Sequence, residues 1–512
     1  MPICEECGQR TRVEGPQNVR HPTPTHAKYS SYTQEILQVD ELKAEIEHVE
    51  TLMQSLATHR SGLRRRINSL APISCLPPEI LLLVFTHCLS PPTTPPLFLG
   101  AICARWRALA WGSPVLWSKL VLRVSRLHAP AQLCLLEAWL LRAGTLPLHI
   151  HILPWEVSDE ATLQSFRSVL EVLVSRAPYW GSIECDVLPP HCHDLLRVTA
   201  PELVFRQLKR VVFRPPKGAI STFSEPPSDM FLGGRVPCLE DVDLVGYDFS
   251  SMRLPWKGLR VFRAQFLTVV EGVGVLRMCP GLERCVLENV YFPETHGILG
   301  GTGKQQAQLV HSGLETLDVT LVKGAATALL DAVSLPSLKE LGLHYVGTES
   351  VPLLPVISLV SRSACVLTKF EVSRSVFGEE DLVRCLEALP GLVELSICVR
   401  EVAHPWGHVG PEVDSEEGLS EGFLRRVVGG GRGHSCLLPG LRRFGYEGPV
   451  GCEMRVVLDV LEGRWREFGG GVGLEGVRVA SRGMLRMEEE DTARVEKLER
   501  EGMDICISPF VF

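Results

Sequence analysis

The sequence predicts an α/β repeat protein: a long N-terminal coiled-coil helix, a small all-α segment, and then an irregular solenoid of short strands and helices. Three observations predict it. Apolar residues recur every 3.5 positions over residues 39–70, a proline-flanked apolar helix follows, and one phrase, L-x-x-L-x-L, then recurs along the chain. A unit built on such a phrase cannot bury its apolar face alone, so neighbouring units must stack. The predicted parts are a disordered arm (1–32), the coiled-coil helix (35–70), the all-α segment (71–120), the solenoid (121–445) and an atypical cap or mobile tail (446–512).

Composition narrows the class of protein. A chain of 512 residues is too long for one ordinary core, which favours several units or an elongated array. Its 45% apolar and 22% charged residues exclude global disorder, and a net charge of −8 gives no attraction for nucleic acid. Seventeen scattered cysteines without a signal peptide indicate free intracellular thiols. Since no apolar run reaches the length of about 20 residues that spans a bilayer, we expect a soluble protein of the cytoplasm and/or nucleus, with no membrane or nucleic-acid partner.

The heptad pattern of residues 39–70 predicts a coiled coil. Nine of its ten seam positions are apolar and Arg60 is the exception. The N-terminal half of the helix is acidic and the C-terminal half is basic, and a parallel homodimer would set Glu45 against Glu50 of its partner. We therefore expect any self-association to be antiparallel; a helix packed within its own chain, or a lone amphipathic helix, remains the alternative. The seam positions are Val39, Ile46, Met53, Arg60 and Ile67 (a) with Leu42, Val49, Leu56, Leu63 and Leu70 (d).

The next segment, residues 71–120, is predicted to contain a docking helix and is called the docking segment below. Pro77 and Pro78 open a helix that is apolar almost all round, so one face can pack inward while the rest needs another cover. Prolines within residues 90–96 prevent a helix in that stretch. A second helix is predicted over about 97–110, and the strand-like residues 120–124 come after it.

The L-x-x-L-x-L phrase predicts a short strand with inward apolar and outward polar side chains. Strand-like runs at 146–152 and 180–187 extend the pattern upstream, and helix-like pieces lie at 325–333, 356–360 and 381–389. The phrase begins at Leu239, Leu259, Leu282, Leu314, Leu338, Leu367 and Leu392, with weaker copies at Leu208 and Leu441.

No motif predicts catalysis or a cofactor. Residues 297–304 have the wrong spacing for a phosphate-binding loop, and the GxGxxG of residues 471–476 precedes a strand instead of following one. Residues 191–193 (His-Cys-His) have no fourth ligand nearby. A weak zinc candidate is Cys4, Cys7, His21 and His26, but prolines between the two histidines forbid the helix that a finger needs, so the alternative is an arm with incidental thiols. The prediction is therefore no metal site.

The docking segment closely resembles the F-box, and the phrase resembles the leucine-rich repeat over residues 203–444. The F-box likeness is carried by LPPEILLLVF at 76–85, ARWR at 104–107 and PVLW at 114–117. The repeat likeness is irregular in spacing. The position where that family places asparagine or cysteine instead holds Tyr247, Val290, Val322, Val346, Ser375 and Arg400. The whole layout resembles the expanded F-box families of mushroom-forming fungi.

The resemblance implies a non-catalytic substrate-recognition subunit of an SCF-type cullin–RING ubiquitin ligase. Its partners would be the adaptor and cullin subunits and an unknown protein substrate; the alternative is an interaction scaffold that uses the F-box and coiled coil without ubiquitin output. Trp106 and Trp117 would hold the segment together and seat it on the first repeat. The implied adaptor-binding residues are Leu76, Pro77, Pro78, Glu79, Ile80, Leu81, Val84 and Phe85. The implied substrate-binding residues, on the outward strand face, are Asp241, Asp243, Arg260, Arg263, Arg284, Asp318, Lys339, His344, Lys369 and Glu371.

Overall fold

The chain folds as two compact units, Met1–His87 with Leu97–Ala110, and Cys88–Pro96 with Trp111–Phe512. The structure, a computed structural model, describes residues 27–89, 96–124, 129–153, 160–185, 204–214, 236–244, 254–292, 308–322, 324–346, 352–373, 378–399, 419–429, 436–467, 473–481 and 487–509. Each unit is described by itself.

The first unit is helical. Its helices are α1 (Ala27–Leu70), a 3-10 turn (Pro72–Cys75), α2 (Pro78–Cys88), α3 (Pro96–Ile102) and α4 (Ala104–Trp111). The guanidinium of Arg105 donates to the backbone carbonyls of Ser74 and Leu76, which ties α4 to the turn that separates α1 from α2. The rings of Phe85 and Trp106 pack with centroids 4.8 Å apart.

The predicted second helix of this unit is corrected by the structure, because it is two helices separated at Cys103. The carbonyl of Cys103 accepts from the N–H of Arg107 at 2.9 Å, and its Sγ accepts from the N–H of Trp106 at 3.4 Å. Cys103 therefore begins a new helix: its carbonyl accepts the first intrahelical bond, and its sulfur accepts from the N–H of Trp106, which has no partner within the helix.

The second unit is built on one parallel sheet of fourteen strands that lie in chain order among the described residues. The strands are β1 (Lys119–Leu122), β2 (Leu148–Ile152), β3 (Trp180–Cys185), β4 (Arg210–Phe213), β5 (Asp241–Leu244), β6 (Val261–Gln265), β7 (Arg284–Val290), β9 (Thr316–Val322), β11 (Glu340–Val346), β12 (Lys369–Ser373), β13 (Glu394–Cys398), β14 (Arg443–Glu447), β15 (Gly476–Ser481) and β16 (Asp504–Pro509). Two short strands, β8 (Leu309–Val310) and β10 (Val333–Ser334), pair separately. The predicted mixed α/β class with an N-terminal helix is therefore confirmed. Sequential parallel pairing is what stacked repeat units produce, so the long sheet is compatible with a solenoid-like arrangement.

Helices connect the strands of the second unit. They are α5 (Ala129–Ala143), α6 (Glu160–Val174), α7 (Val269–Met278), α8 (Ala325–Asp331), α9 (Leu354–Ser363), α10 (Glu379–Glu387), α11 (Glu421–Val427), α12 (Met454–Glu467) and α13 (Glu489–Arg500), with 3-10 turns at Pro114–Trp117, Ala177–Tyr179 and Trp256–Gly258. The three helix-like pieces expected at 325–333, 356–360 and 381–389 are α8, α9 and α10.

The recurring phrase supplies the core of the sheet. In the copy that begins at Leu338, the side chains of Leu338, Leu341 and Leu343 are each at most 1% exposed. All nine copies of the phrase form strands at the expected places, and the runs at 146–152 and 180–187 contain β2 and β3. The alternation of inward leucines with outward polar residues therefore predicted the strands correctly.

Three predicted boundaries are corrected. Helix α1 begins at Ala27, within residues 1–32 that were predicted to be a disordered arm. The sheet continues past residue 445 through β15 and β16, because Leu474, Val477 and Val479 fill the same three buried positions as the leucines of the phrase. At the other end, the turn Pro114–Trp117 belongs to the second unit and not to the helical one. Its Trp117 is fully buried against Trp139, with ring centroids 4.9 Å apart.

Membrane insertion of a helix has no support in the described part of the chain, where none of the helices combines the length and apolar character of a membrane span.

Candidate interaction surfaces

The heptad seam of α1 is exposed along its described length. Each of the nine apolar seam residues keeps between 46% (Leu63) and 82% (Leu70) of its surface accessible. In the described chain, therefore, the seam is not buried by intramolecular packing, which was one alternative for this helix. An apolar stripe of this length left in water is unfavourable, so the seam is a candidate interaction surface.

Helix α2 divides its predicted adaptor-binding residues between an inner and an outer face. Leu81 and Phe85 are fully buried in their own chain, so in this conformation they support the helix and offer no surface to a partner. Ile80 is 44% exposed, whereas Leu76 and Val84 are half-buried. The other three predicted residues, Pro77, Pro78 and Glu79, are exposed.

Sequence reasoning left out the most exposed apolar residue of α2. Leu83 is 60% exposed, and on α3 Phe98 is 64% and Ile102 50% exposed. The all-round apolar character of α2 did not indicate which side chains point outward, because only tertiary packing separates Leu81 from Leu83. The outward apolar residues Ile80 and Leu83 are defined here as the α2 surface.

The outward side of the sheet carries ladders of opposite charges between neighbouring strands. Four predicted substrate-binding residues are members. Arg260 pairs with Glu283 at 2.8 Å, Lys339 with Glu315 at 2.8 Å, Asp241 with Arg210 at 3.0 Å and Lys369 with Glu394 at 2.6 Å. Solvent-exposed ion pairs of this kind contribute about 0.2–1 kcal/mol each to stability. A structural role therefore accounts for these four without a substrate.

Two further predicted residues on this side lie near the ladders. Arg284 is exposed on β7. Glu371 is half-exposed beside Lys369. The hydrogen bond from Lys369 to Glu394, with the nearby carboxylates of Glu394, Glu371 and Glu340, raises the pKa of the lysine against the effect of burial.

A mixed cluster on β3–β6 has Asp243 at its centre. Arg214 approaches Asp243 at 3.5 Å and Glu184 at 3.1 Å, and Arg263 lies 3.8 Å from Asp243. Asp243 is only 3% exposed, and its Oδ1 accepts no hydrogen bond from the described protein atoms. Burial raises the pKa of Asp243 above its usual range, although the arginines lower it. Asp243 is therefore a costly buried carboxylate held by its neighbours. Arg214 and Glu184 were not among the predicted residues.

A row of three side chains crosses β9, β11 and β12. Asp318 Oδ1 lies 2.9 Å from His344 Nε2, and His344 Nδ1 lies 2.5 Å from Ser373 Oγ. This order of groups could activate a serine hydroxyl in a hydrolase. Ser373, however, is only 6% exposed, so a substrate carbonyl cannot reach it in this conformation. Asp318 and His344 were predicted from sequence as binding residues, and Ser373 was not.

The described cysteines and histidines form no metal-binding cluster, and several of the thiols are buried. All fourteen described cysteines are free thiols, and burial raises the pKa of Cys279 and of Cys385 to about 12. Thiols with such pKa values remain protonated near neutral pH and react slowly. Within the described ranges, no three His, Cys, Asp or Glu residues are placed to hold a metal ion. The weak zinc candidate at Cys4, Cys7, His21 and His26 lies outside those ranges, as do residues 191–193 and 297–304.

No protein-family model matches the chain, and no curated protein matches its sequence.

Proposed function

We propose that this chain is a non-catalytic substrate-recognition subunit of an SCF-type cullin–RING ubiquitin ligase. The observation that carries the proposal is α2, in which Leu81 and Phe85 fix the helix in its own unit while Ile80 and Leu83 stay in water. A helix that is anchored on one face and apolar on the other suits docking to a groove on a partner. The resemblance of residues 76–85 to the F-box supplies the identity of that partner, the ligase adaptor.

The strand array supports a recognition role. Its outward face mixes positive and negative side chains, which suits a protein partner better than a nucleic acid. Ubiquitin transfer would be performed by other subunits, and this chain would raise the effective concentration of substrate near them. Since Arg260, Lys339, Lys369 and Asp241 already pair across strands, we expect specificity to come from the face as a whole.

A scaffold without ubiquitin output is the second candidate. It is favoured by the exposed seam of α1, which offers an assembly surface that ligase docking through α2 does not need. The two functions differ in ubiquitin output, because both use the F-box segment but only the ligase subunit supports transfer of ubiquitin to a bound protein.

The test is adaptor binding by the full chain with the α2 surface changed. Ile80→Asp with Leu83→Asp should reduce affinity for the adaptor at least a hundredfold, because two apolar contacts are lost and two carboxylates must be desolvated on binding. The matched control is Leu354→Asp with Val366→Asp, which alters two exposed apolar residues of the array, each 66% exposed. Circular dichroism checks that both variants stay folded. Adaptor binding retained by the α2 variant, or no binding by the unaltered chain, would refute the proposal.

A further inference from the structure

We infer that α1 pairs with α1 of a second copy of this chain as an antiparallel coiled coil over residues 39–70. The surface is the exposed heptad seam, and it spans 32 residues, about 48 Å at 1.5 Å per residue. That length exceeds the three to four heptads that sustain a coiled coil. The pairing is independent of adaptor binding, which concerns α2.

An antiparallel alignment that sets residue 39 against residue 70 uses every seam position. In such coiled coils an a residue of one helix shares a layer with a d residue of the other. Met53 then meets Leu56 of the second copy at the centre, and the pattern extends symmetrically to both ends. The layers are Val39 with Leu70, Ile46 with Leu63, Met53 with Leu56, Arg60 with Val49 and Ile67 with Leu42.

Arg60 separates the two possible orientations. A parallel, in-register dimer would place Arg60 and its copy in the same core layer, so two guanidinium groups would repel each other where water is excluded. The antiparallel alignment moves each Arg60 into a layer with Val49 of the second copy, next to that copy's Glu50. Each charge then has an acidic side chain within its neighbourhood, and the two arginines lie in separate layers.

The charge along the helix favours the same orientation. Residues 40–50 contain five acidic residues and one lysine, a net charge of −4, and residues 60–66 contain four arginines, a net charge of +4. Antiparallel pairing sets these halves against each other, and at the flanking positions Glu45 faces Arg66 of the second copy. Parallel pairing sets like against like and brings Glu45 to Glu50. One like-charge contact, Lys43 with Arg64, remains in the antiparallel form.

The first experiment measures the mass of the full-length protein by analytical ultracentrifugation at micromolar concentration and low salt. We expect a dimer. Met53→Asp with Leu56→Asp should give a monomer, since it places carboxylates in the central layers, while adaptor binding stays unchanged. Leu141→Asp, at a 73% exposed residue of the array, is the matched control and should remain dimeric. A monomeric unaltered protein, or a dimeric Met53→Asp/Leu56→Asp variant, would overturn the inference.

The second experiment decides the orientation. Glu45→Arg should weaken the antiparallel dimer about tenfold, because two attractive contacts become repulsive, and adding Arg66→Glu should restore it. A parallel dimer would instead be tightened by Glu45→Arg, which would then face Glu50. A photo-crosslinking amino acid in place of Lys43 should mark residues near 64 of the second copy. Crosslinks near residue 38, or tightening by Glu45→Arg, would overturn the antiparallel orientation.

Discussion

Replacement of Arg464 by methionine should destabilise the end of the array strongly. Arg464 on α12 has no exposed surface. Its guanidinium donates to the backbone carbonyls of Val428 at 3.0 Å, Leu438 at 2.7 Å, Pro439 at 3.2 Å and Leu441 at 3.1 Å. Because Val428 follows the last residue of α11, the positive charge also lies at the negative end of that helix.

The magnitude follows from these four bonds. The carbonyl of Leu438 keeps the N–H of Leu441 as a donor at 3.2 Å, and Pro439 is an exposed residue, so the loss falls mainly on the carbonyls of Val428 and Leu441. Each buried carbonyl left without a donor costs about 1–3 kcal/mol, which gives a gross loss of about 2–6 kcal/mol. The desolvation cost of the guanidinium, several kcal/mol, disappears with it and offsets part of the loss. We expect a net loss of about 2–4 kcal/mol, the lower part of the gross range, because no charge is left behind and the guanidinium no longer has to be desolvated.

Two other arginines provide graded controls. Arg362 donates in the same way to the carbonyls of Leu330 and Val333 near the end of α8, but a quarter of its side chain is exposed, so Arg362→Met should cost about 1–2 kcal/mol. Arg466 pairs with Glu462, and its side chain is about half exposed. Arg466→Met should therefore cost less than about 1 kcal/mol.

The assay is amide hydrogen exchange together with urea unfolding of the full chain. Since repeat units contact mainly their neighbours, faster exchange in Arg464→Met should be concentrated in α11, α12 and β14, while β6 and β7 stay protected. An effect of Arg464→Met no larger than that of Arg466→Met would refute the reasoning, because it would mean that water replaces the guanidinium at no cost.

Three further predictions concern the array. Asp243→Asn should be within about 1 kcal/mol of the unaltered protein at pH 7, since it removes both the arginine contacts and the desolvation cost. Because the pKa of Asp243 is raised in the folded state, the unaltered protein gains stability from this group as pH falls toward the pKa of the unfolded state. From pH 7 to pH 4, the free energy of unfolding in urea should therefore change in favour of the unaltered protein relative to Asp243→Asn. An unchanged difference between the two proteins would contradict the burial argument. Leu343→Ala, at a fully buried residue of β11, should cost about 2–5 kcal/mol in the same assay, and a cost under about 1 kcal/mol would contradict close packing there. Iodoacetamide at pH 7 should label the exposed Cys134 before Cys279 in peptide mass spectrometry, because the pKa of Cys279 is about 12; equal rates would show that the array opens freely.

The strands and the order in which they pair could be predicted from sequence. Inward positions such as Leu341 and Leu343 must be apolar because the sheet is covered on that side, and this alternation is visible in any copy of the phrase. The strand after residue 476 was predicted, but not that it joins the sheet, because valine replaces leucine there, as at Val477. The last strand, β16, was missed, and isoleucine replaces leucine in it, as at Ile505. Valine and isoleucine fill the same buried positions as leucine, so the strand forms although the leucine pattern is absent.

The sequence by itself determined helix α1, its charge pattern and the short strands, because these depend on local periodicity. Tertiary structure decided which apolar residues are exposed at the surface and which are buried in the core. Leu81 and Leu83 are the same residue type two positions apart on α2, yet one is fully buried and the other 60% exposed. It also brought Ser373 to His344 and Arg464 to four carbonyls. These residues are 23 to 36 positions apart in the chain, so their contacts depend on how neighbouring strand–helix repeats stack and cannot be recognised from local sequence patterns.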